Sequence, residues 1–529
     1  MKELNEKNQR YALIALAIVL GAAVIYHLTT YFPHVNNYPF SLWWSETTRF
    51  YLGSTFFDQR IYGQDLPWVF RDFTRYLIQA MPFLIDDSPL WVHRLWQAGL
   101  RFLSGYLVGY VFTRRMKISR PLFIGLFTAW TGLYLFQGPL FYNLVPIVIL
   151  VVWLADPKRL WKTMLVVAAA SVYAGLSRIN WVPMAGLMAA LFYFLEVPYQ
   201  GKKFKEMLLY LVPPAVWTVV GSLIGLGAMQ VWQRNSGNPP EIFHSSFTSY
   251  LLYHRLLPNI SYPPGIILAT LMVCAPLLIY LLLSLRGWKQ RWHPIRLAAI
   301  LAIMALMGAG GLLVSIKIGG GTNLHNMDVF LVILLLVAVE LFFDRAVTDQ
   351  GDPVCLPMPD WLIVLAVLVP VGFVFLFQGR NAATLDMAQA EADLATLQAY
   401  ATEAVEAGGE VLFVSQRHLL TFGLIKGVPL VHEHEKLLLQ EMVMSQNHAY
   451  LENFAEEMAE QKYALLVMDP LPRFWKHPDK VPLAVENNVV NKDLVPLVLC
   501  AYETKDTLLD GSLEILVPKA EPTCNLEKE

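Results

Sequence analysis

The residues best suited to chemistry lie in a few short polar stretches of an otherwise apolar chain. The first stretch holds Glu46, Arg49, Asp58, Arg71, Asp72 and Arg75 among Trp43, Trp44, Phe50, Tyr51, Phe57, Phe73 and Tyr76. A carboxylate beside apolar rings is partly desolvated, which raises its pKa and suits it to general acid–base work. Arginines offer planar forks that fit phosphate or pyrophosphate. The aromatics read as anchors at a membrane–water boundary or as stacking faces for sugar rings. Glu46 with Arg49 reads equally as a functional pair or a structural ion pair.

Arg178 sits in an apolar segment broken at Ser177-Arg178-Ile179-Asn180. An ionisable residue at membrane depth is costly, so it is a functional candidate unless it snorkels to the headgroups. The loop Lys317–Asp328 contains Gly319, Gly320 and Gly321, then Asn323, His325 and Asp328. Glycines let backbone N–H groups approach an anion, Lys317 adds charge, and His325 with Asp328 adds acid–base or metal-binding capacity. The P-loop pattern GxxxxGK[ST] is absent. The competing reading is a tight turn that caps the next helix through Asn326 or Asp328. His432-Glu433-His434-Glu435 reads as an exposed polar turn before a metal site. No Cys/His cluster with zinc spacing exists, and pairing of Cys500 with Cys524 is left open.

These residues need a scaffold, and composition says which kind. Of 529 residues, 56% are hydrophobic and 16% charged, and the mean hydropathy is +0.44. A soluble domain carries about 25% charged residues. A disordered chain, a nucleic-acid binder and an ordinary cytosolic enzyme are excluded. The net charge of -2 hides an asymmetry: residues 1–378 carry +10 and residues 379–529 carry -12.

Apolar stretches near 11–30, 92–113, 121–136, 139–155, 163–177, 181–196, 207–232, 264–285, 297–316, 328–343 and 361–378 each read as a membrane span. Lys and Arg cluster in the connectors at 114–120, 158–162, 202–205 and 286–296. The positive-inside rule puts these four in the cytoplasm with the N-terminus, although the acidic connector 344–360 does not fit. The long loop 31–91, the break at 177–181, the loop 233–263 and the loop 317–327 then face outward, together with the tail. The loop 233–263, with His244, His254 and Arg255 among aromatics, reads as amphipathic and interfacial. In the tail, 382–407 and 435–461 read as helical, and 411–414, 464–468, 497–500 and 513–517 as strands. The fold class is therefore a polytopic α-helical membrane protein of about 11 spans (1–378) with an extracytoplasmic α/β domain (379–529).

At this point the chain resembles the GT-C superfamily of integral-membrane glycosyltransferases, and more locally an uncharacterised bacterial branch of GT-C-like proteins. The residues that carry the likeness are Trp44–Tyr51, Arg75–Ala80, Leu176–Trp181, Lys317–Asp328 and Gly409–Ser415. The resemblance implies transfer of a sugar from a polyprenyl-phosphate donor to an acceptor outside the cytoplasm, at a bacterial plasma membrane. It implies an acidic base in the first outer loop, with Glu46 the best match and Asp58 second. It makes Arg49, Arg75, Arg178 and Lys317 candidates for the donor phosphate, with Asn323, His325 and Asp328 beside them. The sugar, the acceptor and any need for a divalent metal are left open. The alternatives are a transporter or flippase of lipid-linked saccharide, and a non-catalytic membrane binding protein.

Overall fold

The computed structural model describes residues 6–244, 248–378 and 385–524. Residues 245–247 of the amphipathic loop and 382–384 of the expected tail helix lie outside the described residues. The chain begins with α1 (Glu6–Thr29), followed by three short helices, α2 (Glu46–Ser54), α3 (Asp58–Tyr62) and α4 (Phe73–Gln79). The bundle continues through α5 (Leu90–Arg115), α6 (Pro121–Phe136), α7 (Val145–Leu154), α8 (Leu160–Ser177), α9 (Met184–Glu196) and α10 (Phe204–Asn235). It ends with α11 (Gly265–Ser284), α12 (Pro294–Ser315), α13 (Asp328–Phe342) and α14 (Asp360–Phe377).

Among the described residues, eight helical stretches are long and apolar enough to cross a membrane, so this is a helical membrane protein. The shorter apolar α6 and α7 and the arginine-bearing α5 complete the bundle. α9 and α13 form its centre, with 83% and 89% of their apolar windows buried, whereas α1, at 17%, lies at the periphery. The expected break at 177–181 is a 3-10 turn, Ile179–Trp181, between α8 and α9. The expected helix 139–155 starts only at Val145, because Gly138-Pro139 interrupts it and 139–142 run irregularly. α8 and α10 pack backbone to backbone, since a Cβ on Gly175 would overlap the Gly225 carbonyl.

One end of the bundle is closed by buried charge. Arg115 pairs with Glu340 at 2.9 Å and with Glu196, and donates to the carbonyls of Val152 and Ala155 at 3.1 and 3.0 Å. Such a network fixes which helices meet more than it adds stability. The opposite end carries the polar segments and the tail.

The tail comprises α15 (Met387–Glu406), β1 (Glu410–Phe413), α16 (His418–Thr421), α17 (Lys436–Ser445), α18 (His448–Ala459), β2 (Tyr463–Met468), α19 (Ala484–Asp493), α20 (Val495–Leu499), β3 (Tyr502–Leu508) and β4 (Leu513–Pro518). The sheet order is β1-β2-β4-β3, with β1 parallel to β2 and the other pairs antiparallel. Apolar clusters cover both faces. Residues 497–500, expected as a strand, belong instead to α20 and its cap. Pro496 at its first turn suits a helix start and cannot donate to a sheet. β3 was not expected, because Tyr502-Glu503-Thr504-Lys505-Asp506-Thr507 is mostly polar along one exposed face. The expected helix 435–461 is two helices, broken where Gln446 adopts φ +52. Cys500 and Cys524 are paired as a disulfide.

The loop 31–91 is clasped between bundle and tail. Thr48 donates to Glu435 at 2.5 Å, Gln416 and Ser41 exchange two hydrogen bonds, and His418 donates to the Pro39 carbonyl at 2.8 Å. Arg417 lies over the Tyr51 ring and Lys436 over Trp44, at 4.8 and 4.4 Å. These aromatics are used as cation platforms for the tail.

Candidate functional site

A cavity of about 860 Å3 opens where the loop 31–91 meets the bundle. Its polar wall carries Arg49 from α2, Arg75 from α4 and Arg101 from α5, with Trp43, Tyr142, Asn323 and His325. The lining also includes the apolar Phe102, Leu135, Phe136, Leu140 and Phe377, with the His27 ring packed against Phe102 and Phe136. Gly132 on this wall stays a glycine because a Cβ would overlap the Tyr106 ring. Among the described residues no Asp or Glu lines the cavity, and its titratable groups besides the arginines are His27, His34, His325 and three tyrosines.

The helical repeat of α5 positions the polar wall. Arg94, Gln97 and Arg101 stand at i, i+3 and i+7, on one face. Arg94 anchors Glu46, Gln97 accepts from Arg49 Nε at 3.1 Å, and Arg101 reaches the cavity. Arg49 also donates to Ser45 at 2.7 Å, while its Nη2 is buried without a hydrogen-bond partner among the described residues. Arg75 Nε is in the same condition. The Arg75 guanidinium lies 5.0 Å from the Phe141 ring centre and that of Arg101 4.7 Å from Trp43. Burial, and then the charges of Arg101 and Arg75, push the Arg49 guanidinium down to about 9. Arg75 has Asp72 at 3.8 Å, whereas among the described residues no carboxylate pairs with Arg49 or Arg101, and a phosphate group would supply the missing anion.

The residues expected from sequence fall into two groups. Arg49, Arg75, Asn323 and His325 reach the cavity; Glu46, Asp58, Arg178, Lys317 and Asp328 do not line it. Glu46 is buried and pairs with Arg94 at 3.1 Å, not with Arg49, and accepts the Leu42 N–H at 2.7 Å. Burial pushes its carboxyl up, but Arg94 and the Leu42 N–H outweigh this and hold it below the usual carboxylate range. That is the opposite of what a general base needs near neutral pH. Asp58 uses both oxygens on backbone, from Gln59 at 2.7 Å and Leu66 at 2.8 Å. Lys317 pairs with Glu441 of α17 at 2.5 Å, and Glu441 also pairs with Arg71 at 3.1 Å. The Arg178 guanidinium lies 5.6 Å from the Phe141 ring centre, bonds Asn326 at 2.6 Å and pairs with Asp328 at 3.7 Å. Asp328 is buried and held by the Trp181 indole N–H at 3.2 Å and the Val329 N–H at 2.7 Å. His434 is enclosed by Tyr450 and Glu457, at 2.7 and 2.6 Å, so it does not act with His432. No group of three metal-ligating side chains comes together among the described residues.

Arg101 was missed by sequence reasoning, although its signal was present. It lies within an apolar stretch read as a span, where an ionisable residue is a functional candidate by default. The chain matches no protein-family model and no curated protein sequence.

Proposed function

We propose that this protein is a membrane glycosyltransferase that moves a sugar from a polyprenyl-phosphate donor to an acceptor on the tail side of the bilayer. The observation that supports it is the cavity lining: among the described residues, three arginines, no carboxylate, and apolar side chains from α5, α6 and α14. A lipid phosphate combines the same two chemistries, a charged head and an apolar tail. In this reading the N-terminus and the basic connectors are cytoplasmic, about eleven helices span a bacterial plasma membrane, and the tail is extracytoplasmic. The Cys500–Cys524 disulfide suits an oxidising compartment.

In the proposed reaction the acceptor hydroxyl oxygen bonds to the anomeric carbon as the bond from that carbon to the phosphate oxygen breaks. Arg49, Arg75 and Arg101 meet the charge that develops on the leaving phosphate. The acceptor proton passes to His34 on the cavity wall, because Glu46 is committed to Arg94 and the His325 ring is engaged by Asn323. A carrier or receptor of the same lipid phosphate is the second reading, favoured by the lack of a carboxylate at the wall.

The test is turnover of radiolabelled polyprenyl-phosphate sugars by purified protein in nanodiscs, using a panel of donors. Sugar transfer or hydrolysis that weakens in Arg101→Gln supports the transferase. Arginine-dependent binding without turnover of any donor supports the carrier. Absence of both, with the protein folded, removes the lipid-phosphate reading.

A further inference from the structure

The segment 470–483, which joins β2 to α19, leaves Phe474 82% and Trp475 69% exposed. Neighbouring aromatic residues this exposed are unusual on a surface that meets only water. The segment is not loose. Asn488 of α19 bonds both the N–H and the carbonyl of Lys476 at 2.8 Å, and Asn491 bonds the Pro472 carbonyl.

Two contacts place the segment and the helix that follows it beside the membrane bundle. The Leu483 N–H donates to Ser261 at 2.9 Å, and Glu486 of α19 pairs with Arg255. Ser261 belongs to the connector that enters α11. That connector folds tightly onto the helix start, since a Cβ on Gly265 would overlap the Leu257 carbonyl. Leu257 and Ile260 on the connector are exposed, as are Leu268, Leu271 and Met272 on α11 below them. Exposed apolar side chains thus occur on the membrane-crossing helix, on its connector and at Leu483, where the segment that carries Trp475 meets the connector. Lys476 is tied to Asn488, only about 7 Å along α19 from Leu483 at 1.5 Å per residue.

Charge agrees with this placement. Lys476 and Lys480 against Asp479 keep the segment basic although residues 379–529 carry -12, while Arg473 is paired with Glu514 of β4. Aromatic residues flanked by lysine and arginine are the pattern of a membrane-interface anchor.

We infer that segment 470–483 is a bilayer anchor: Phe474 and Trp475 insert at the headgroup level of the adjacent leaflet, and the basic residues face lipid phosphates. The anchor fixes the height of the tail domain above the bundle at a point remote from the covalent linker.

The test labels Trp475→Cys, in a Cys355→Ser background, with a bimane fluorophore on the full chain in nanodiscs of phosphatidylcholine and phosphatidylglycerol. Lipids brominated in the acyl chains should lower its emission at least twofold relative to plain lipids, and aqueous iodide should quench it weakly. Full access to iodide with no bromine quenching overturns the inference. So does protection from both quenchers, which would mean that protein covers the segment. Phe474→Cys carries the same reading should Trp475→Cys not purify as a folded protein.

Discussion

Replacing Glu46 by Gln separates a structural carboxylate from a catalytic one. The Arg94 guanidinium is almost fully buried and donates to Glu46, to the carbonyls of Asn36, Tyr38 and Phe40, and to the Asn36 side chain. Removing one partner of a buried ion pair costs about 3–5 kcal/mol. Gln keeps an oxygen for Arg94 and loses only the charge, so about 2–3 kcal/mol is expected, the scale of one charge-assisted hydrogen bond. Arg94→Leu strands five acceptors and should cost more. A chain this long moves by about 2 °C or less per kcal/mol. The apparent Tm of Glu46→Gln in detergent should therefore fall by roughly 4 °C. Because the Glu46 carboxyl is held below its ordinary value, its contribution is complete above about pH 4.5 and is lost as pH falls through the lowered native value. The gap between wild type and variant should accordingly close in acid. The double variant Glu46→Gln/Arg94→Leu should lose less than the sum of the single losses. A Glu46→Gln protein with unchanged Tm and abolished turnover would refute this reasoning and restore Glu46 as the base.

Further outcomes are expected from the same geometry. Inorganic phosphate or pyrophosphate should raise the Tm of wild type, and Arg101→Gln should reduce the response, with affinity lost by roughly 10–100-fold for one charged hydrogen bond. Isothermal titration against both ligands checks it. Gly321→Ala places a methyl 2.5 Å from His325 Cε1 at φ +81, so it should displace that ring and lower turnover or donor affinity, read in the nanodisc assay. Gly175→Ala should loosen α8 from α10 and lower Tm by several degrees in a thermal melt, as overpacking costs about 1–3 kcal/mol or more. Cys500 and Cys524 should resist alkylation in intact cells until a reductant is added, whereas Cys355 lies in the connector of the basic end and should need membrane permeation to react.

How much of this was legible before folding depends on the range of the interaction. Runs of apolar residues report membrane helices because each helix satisfies its own backbone hydrogen bonds, whatever its neighbours are. The break at Ser177–Asn180 and the strands β1, β2 and β4 were readable for the same local reason. α20 and β3 were exchanged, because a short apolar run does not tell a strand from a buried helix and β3 is polar on one face. At the site, residue types pointed to an anion, and Arg49 and Arg75 were named from the loop. Which charges cancel was decided only by the tertiary structure. Glu46 meets Arg94 across 48 residues, Lys317 meets Glu441 across 124, and Arg178 meets Asp328 across 150. Of the cavity's arginines, Arg49 and Arg101 have no paired carboxylate among the described residues, and Arg75 lies 3.8 Å from Asp72. An ion pair is a property of two positions brought together, so composition and spacing identify the charges, and packing alone selects the ones left to bind a ligand.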